Sequence, residues 1–220
     1  MEGYLDGQLS RRVFIRGLIA TGVTAAAALS YAGILEAAPA DAGGLADFYL
    51  VVLDFAFSPN PVTLAQGQGV EIGFWGDVLH TVSDTTGLNL FDVEPVTARA
   101  VGHIDPMPGA GVYKFQCDNH PSVMKGKFKV PVVVAPPVQP LGGSVEIQWA
   151  VGAAPAGLVF DVQRRAPDAS AFSDWRTGVT YGSRNVTPRK RGFWTFRARV
   201  RRASTGAVSA WSRPATLTVT

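Results

Sequence analysis

Gly111-Val-Tyr-Lys-Phe-Gln116 leads into Cys117-Asp-Asn-His-Pro-Ser-Val-Met124, and Lys125-Gly126 leads on into a second run from Lys127 to Val134. The two outer runs are strand-like, and the segment between them is the loop that joins them. That loop holds the chain's only cysteine, an imidazole (His120) and a thioether (Met124) within eight residues. A loop between two strands can aim all three side chains at one point.

The rest of the composition agrees with a β-rich chain. Twenty-four glycines and fifteen prolines in 220 residues call for many turns, and few stretches show helical periodicity, so the expected class is all-β. The net charge of +3 conceals an asymmetry. Residues 43–136 carry five Lys/Arg against nine Asp/Glu, whereas residues 137–220 carry twelve against four. Two folded units of opposite charge are expected. A single cysteine allows no internal disulfide, and a lone thiol in an exported protein needs either burial or a metal.

Residues 1–42 read as a targeting leader. Ser10-Arg-Arg-Val-Phe-Ile-Arg16 resembles the twin-arginine export motif, and an apolar, alanine-rich run follows from Gly17 to Leu35. Ala38-Pro-Ala40 or Ala40-Asp-Ala42 would suit a signal peptidase. The alternative is an uncleaved membrane anchor, the one way in which a membrane would become a partner. Asp47-Phe-Tyr-Leu-Val-Val-Leu-Asp-Phe-Ala-Phe57 is an apolar strand run, broken by Ser58-Pro-Asn-Pro61. Val62-Thr-Leu64 and Val70-Glu-Ile-Gly-Phe-Trp75 are further strands, and Val78-Leu-His-Thr-Val-Ser83 brings in His80.

A thiolate, two imidazoles and a weak thioether are the donor set of a blue copper site, because this mixture serves both Cu(I) and Cu(II). Cys117, His120 and Met124 supply three of the four, and His80 is the candidate for the last. Plainer readings stand beside this one: a buried thiol next to a capping histidine, a structural His80, and Met124 as core packing. Zinc is the competing metal, although structural zinc sites take four Cys/His ligands. His103 and Met107 read as structural, with Met107 a distant rival for the axial position.

Residues 45–134 resemble a small cupredoxin of the plastocyanin/amicyanin type. The first half of the likeness is Phe55-Ala-Phe-Ser-Pro59, Val62-Thr-Leu64, Gly69-Val-Glu-Ile-Gly-Phe-Trp75 and His80-Thr-Val82. The second half is Tyr113-Lys-Phe-Gln-Cys117-Asp-Asn-His120-Pro, then Met124-Lys-Gly126 and the closing strand. Carried over by position, the resemblance implies one type 1 copper held by His80, Cys117, His120 and Met124, and a Greek-key sandwich spanning residues 43–134. It implies a surface-directed His120 at which a redox donor or acceptor protein could approach, with Phe91, Met107 and Pro121 around it. Two departures stand out. Three residues separate His120 from Met124, where close relatives have two or four, and Gly76 and Thr81 occupy positions where many relatives place asparagine. Multicopper oxidases and nitrite reductases flank this cysteine with a histidine, whereas here its neighbours are Gln116 and Asp118, so an enzyme is not expected.

The Pro-rich stretch, assigned to residues 135–142, reads as a stiff linker. Residues 143–220 resemble a fibronectin type III module, with Trp149 as its buried tryptophan, Trp194 in place of its corner tyrosine, and Ser209-Ala-Trp-Ser212 near its end. That resemblance implies a second sandwich without chemistry of its own, and removal of residues 137–220 is expected to leave the metal site intact. Arg197, Arg199 and Arg201 alternate with Phe196, Ala198 and Val200, so they line one strand face. They read as a stack on Trp211 or Trp175, the alternative being docking to an anionic component of the cell envelope. Nucleic acid is not an expected partner outside the cytoplasm. The chain thus reads as an extracytoplasmic one-electron carrier, the alternative being a non-redox copper-binding or adhesion protein.

Overall fold

The computed structural model of the protein describes residues 45–95 and 98–220, and the export reading of residues 1–42 lies outside them. The chain is all-β: every regular element among the described residues is a strand. The first nine are β1 (Phe48–Leu53), β2 (Ala56–Ser58), β3 (Val62–Thr63), β4 (Val70–Phe74), β5 (Val82–Asp84), β6 (Asp92–Val93), β7 (Val101–Ile104), β8 (Gly111–Gln116) and β9 (Lys125–Val130). They form two sheets, ordered β2-β1-β4-β7 and β3-β9-β8-β5-β6. β1 runs parallel to β4 and β3 parallel to β9; the other pairings are antiparallel.

Alternation decides which side chains fill the space between these sheets. Leu50, Val52, Ile72 and Phe74 come from one, and Tyr113, Phe115, Phe128 and Val130 from the other, all buried. Lys114, Lys127 and Lys129 lie on the opposite face of their strands, as the two-residue period requires. Phe115 stacks on Phe128 at 4.4 Å between ring centroids. Its cross-strand partner is Gly126, where a Cβ would fall inside the Phe115 ring, so only glycine fits.

Eight further strands follow: β10 (Val133–Ala135), β11 (Val138–Gln139), β12 (Val145–Gln148), β13 (Leu158–Arg165), β14 (Ser173–Val179), β15 (Ser183–Val186), β16 (Gly192–Arg202) and β17 (Ala215–Val219). Their sheets are β10-β12-β15 and β11-β17-β16-β13-β14. The stretch that composition reads as a linker is therefore structured. β10 pairs antiparallel with β12, and β11 pairs parallel with β17. Pro136 and Pro137 lie between β10 and β11 and have no N–H to continue a ladder, so the chain leaves one sheet there and joins the other.

The second core centres on Trp149, which is fully buried, donates its indole N–H to the Tyr181 carbonyl at 2.7 Å, and meets Trp175 edge-on at 5.9 Å. Trp194 donates its indole N–H to the Lys190 carbonyl four residues upstream at 3.0 Å. Arg197, Arg199 and Arg201 of β16 find partners within the C-terminal half. Arg197 lies 4.1 Å from the centroid of Phe172 and 4.9 Å from that of Trp211, and Arg199 stacks on the same indole at 4.6 Å. Arg201 leaves this ladder and forks onto Asp161 at 2.9 and 3.0 Å. Trp175 is stacked instead by Arg176 at 4.7 Å.

The two sandwiches share one continuous hydrophobic cluster. Ala110, just before β8, donates its N–H to the Trp149 carbonyl at 2.6 Å, and Val112 exchanges two backbone hydrogen bonds with Ala210. The Gln66 side chain donates to both Pro131 and Gln148 carbonyls, and Arg202 donates to the Leu88 carbonyl. Where a stiff linker is expected between two units, the halves are joined by direct backbone and side-chain hydrogen bonds. The strand that ends at Cys117 is bonded to the C-terminal half at its other end.

Two predictions follow from this packing. A Cβ at Gly109 would lie 2.7 Å from Phe160 and 2.9 Å from the Trp149 carbonyl oxygen, a backbone atom that cannot rotate away. Gly109→Ala is expected to lower the unfolding free energy of the whole chain by about 1–3 kcal/mol, read from urea denaturation. Asp161 is the second case. Burial raises its pKa, but hydrogen bonds from Arg201, Gly178 N–H and Arg199 outweigh burial and hold it below the ordinary 3.8. Its contribution to stability is therefore present above the unfolded-state pKa and disappears as pH falls through the folded-state value. Asp161→Asn is expected to be less stable at pH 7 and to show a shallower acid slope in the thermal midpoint below about pH 4. An unchanged slope would remove Asp161 from the acid response.

Candidate metal centre

Three side chains from two loops converge at one end of the N-terminal sandwich. His80 lies in the connection between β4 and β5, while Cys117 and His120 lie in the loop between β8 and β9. Cys117 Sγ is 3.6 Å from His80 Nδ1 and 3.6 Å from His120 Nδ1. The thiol and the His80 ring are buried, and His120 is partly exposed. The rings of the two histidines are 4.9 Å apart, tilted by 50°.

The loops are tied together by backbone geometry. Cys117 N–H donates to the Met124 carbonyl at 3.1 Å, and Met124 N–H donates to the His120 carbonyl at 2.9 Å, which curls the segment into a closed turn. Thr81 joins this turn to the His80 strand. Its N–H points at Cys117 Sγ at 3.4 Å, and its hydroxyl accepts the Asp118 N–H at 2.8 Å. Asn119 adds a bond from its side-chain amide to the Leu79 carbonyl at 3.0 Å. Thr81 thus bridges the two loops.

The arrangement suits a metal ion. Separations of 3.6 Å between sulfur and nitrogen are those of ligands reaching a common ion at about 2.0–2.3 Å. Among the described residues, His80, Cys117 and His120 form a group of buried or partly buried nitrogen and sulfur donors within 4.8 Å of one another. No fourth Cys, His or carboxylate joins it, so the donor set falls short of the four Cys/His ligands of a structural zinc site. Met124 is buried, immediately beyond the turn that it closes with Cys117 and His120.

Other sequence expectations fall elsewhere. Met107 is buried in the core and Phe91 packs edge-on against Phe128 at 5.7 Å, whereas the ring in contact with His120 is that of Phe55. The large exposed apolar side chains on these loops are Val78, Leu79 and Val123, and Phe55 is exposed on the turn between β1 and β2. His103 lies on β7, with its Nδ1 3.3 Å from an Asp47 carboxylate oxygen.

Two residues at the site escaped the sequence reading. Phe55 adopts a left-handed backbone conformation (φ 60°), which costs about 1–2 kcal/mol for a residue with a Cβ. Its ring is edge-on to His120 at 4.8 Å and to His80 at 6.2 Å. Asp54, beside it, has an oxygen 3.4 Å from His80 Nε2. Burial would raise the Asp54 pKa, but hydrogen bonds from His80 and from the N–H groups of Asp77 and Val78 hold it below 3.8. The only sequence signal was a two-residue Asp-Phe break in an otherwise apolar strand run.

No protein-family model and no curated protein matches the chain. Among solved structures it is similar to a purple cupredoxin from Nitrosopumilus maritimus, at 21% identity and a TM-score of 0.34, over 38% of this chain and 99% of that one. It is also similar to a reduced amicyanin variant, at 17% identity and a TM-score of 0.33, over 41% of this chain and 93% of that one. A fern plastocyanin mutant matches at 20% identity and a TM-score of 0.31, over 37% and 98%. The solved structures named here are all cupredoxins, and each spans less than half of this chain.

The Thr81 tie generates a test of how the site is held. Thr81→Val keeps the side-chain shape but removes the acceptor for the Asp118 N–H. It is expected to cost about 1–3 kcal/mol of stability, measured by urea denaturation of the metal-free chain, and to speed hydrogen exchange at Asp118. Wild-type protection of that amide would show that the loops are held by other contacts.

Proposed function

We propose that this protein is an exported type 1 copper protein that carries single electrons between protein partners. Copper would be held by His80, Cys117 and His120, with Met124 as the weak axial ligand. The observation that carries the reading is the triangle of Cys117 Sγ and two imidazole Nδ1 atoms, with 3.6 Å from the sulfur to each nitrogen, on two loops tied to each other at Thr81. A soft thiolate beside two imidazoles accommodates both Cu(I) and Cu(II), and bound copper would supply the reversible one-electron couple.

This chain's own residues supply the rest. The burial of His80 and Cys117 keeps water from the inner ligands, and His120 is the ligand with an open side. Exposed Phe55, Leu79 and Val123 give the neighbouring loops apolar surface for a redox partner. On the outer face of β8 and β9, Lys114, Lys125, Lys127 and Lys129 line a groove of about 720 Å³, which favours an acidic partner surface. We read the protein as a carrier rather than an enzyme because Gln116 and Asp118, which flank the cysteine, offer no imidazole to a second copper.

The C-terminal sandwich is read as a fibronectin type III-like module that orients the carrier. Buried Trp149 and the Trp194 indole bond to Lys190 support this, and the exposed Arg189 and Arg191 leave it a basic edge for an anionic envelope component. The twin-arginine motif of residues 10–16 supports an extracytoplasmic location.

The full chain loaded with Cu(II) is expected to show an intense visible thiolate-to-copper band and a narrow copper hyperfine splitting, both absent from Cys117→Ser. A colourless zinc-binding protein, or an ordinary tetragonal copper spectrum, would favour a non-redox binding protein instead. Met124→Leu is expected to retain copper and to raise the reduction potential by about 59 mV or more, a tenfold change in a one-electron equilibrium. An unchanged potential would remove Met124 from the axial position.

A further inference from the structure

We propose that Asp54 is the positioning residue of His80: its carboxylate, carried on a turn of the opposite sheet, holds the far nitrogen of the imidazole in space that Gly76 leaves open. This rests on the reading of His80, Cys117 and His120 as a copper site.

Leu53 at the end of β1 pairs directly with Ala56 at the start of β2, so Asp54 and Phe55 are the whole turn of that hairpin. The turn is seated against the site at two places. The Phe55 ring meets both imidazoles edge-on, from a left-handed backbone conformation that residues with a Cβ rarely adopt. Asp54 Oδ1 accepts the Asp77 N–H at 2.9 Å and faces His80 Nε2 at 3.4 Å. The buried His80 ring therefore has its two nitrogens divided between tasks. In this arrangement the ring hydrogen is assigned to Nε2, which faces the carboxylate, and Nδ1 is left bare toward Cys117 Sγ.

Gly76 makes the arrangement possible. A Cβ at that position would fall on Asp54 Oδ1 and come within 3.1 Å of His80 Nε2. A carboxylate on the outer nitrogen makes an imidazole a stronger donor and fixes its orientation, and its negative charge favours the more highly charged metal ion. Asp54 thereby sets the reduction potential as well as the angle of His80.

The test compares the full-length chain with Asp54→Asn and Asp54→Ala. Asparagine keeps an oxygen for the Asp77 N–H, so the turn survives while the charge is lost. Asp54→Asn is expected to retain the blue band and to shift the Cu(II)/Cu(I) equilibrium tenfold toward Cu(I), a rise of about 59 mV. Asp54→Ala is expected to weaken copper binding tenfold to a hundredfold. A blue Asp54→Asn protein with the wild-type potential would overturn the proposal. A wild-type chain with no blue band would instead overturn the copper reading. The positioning role would then be decided in the metal-free protein, where nitrogen NMR is expected to find the His80 proton on Nε2. A proton on Nδ1 there would overturn the role of Asp54 independently of copper.

Discussion

Thr81 bonds to two successive residues, Cys117 and Asp118, at the start of the loop that carries the thiol, and the geometry of the site depends on that tie. Its N–H reaches Cys117 Sγ and its hydroxyl takes the N–H of Asp118. A thiol and an imidazole on separate loops would otherwise move independently, and loop motion is inexpensive where few buried contacts oppose it. With the tie, His80 and Cys117 belong to one rigid patch of backbone. His120 joins the patch through the tight turn that its own carbonyl closes with Met124. A site whose ligands move little between two charge states favours fast exchange of an electron, and this is the physical link between the hydrogen bonds and the proposed carrier role.

The same strand that delivers Cys117 is anchored at its other end to the C-terminal sandwich. Ala110 and Val112 bond to Trp149 and Ala210, and Gly109 packs directly on Phe160. β8 thus runs from one core to the other, and the two halves form a single buried cluster. The strand that leads to Cys117 is therefore held by the packing of both halves. Charge follows a similar logic. Three arginines of the basic C-terminal half are engaged inside its own fold, in the stack of Arg197 and Arg199 on Trp211 and the fork of Arg201 on Asp161. The lysines of β8 and β9 have no such partners among the described residues and leave a positive groove on an otherwise acidic half.

Much of this was legible in the sequence because it depends on local rules. Alternation marks β8, β9, β12, β13 and β16, and it sends Phe196, Ala198 and Val200 inward with the arginines outward. Cys117 and His120 come together because the two residues between them in a tight turn can hardly place them apart. Trp194 reaches a carbonyl only four residues away, again a local geometry. The proline stretch misled for a local reason of its own. Proline disfavours a continuous strand, but it does not prevent one short strand before it and another after it in different sheets.

Composition and period by themselves determined the all-β class, the loop that bears Cys117, His120 and Met124, and the inward faces of the strands. Only the tertiary structure decided that Asp54 stands behind His80, that Phe55 rather than Phe91 or Met107 faces the histidines, and that the two sandwiches share a core. These contacts join residues 26, 65 or 98 positions apart, such as Asp54 with His80, Phe55 with His120, and Val112 with Ala210. They arise from how one sheet lies across another, which sequence period does not encode. A period of two says which face a side chain takes, and the packing of the sheets says what it meets there.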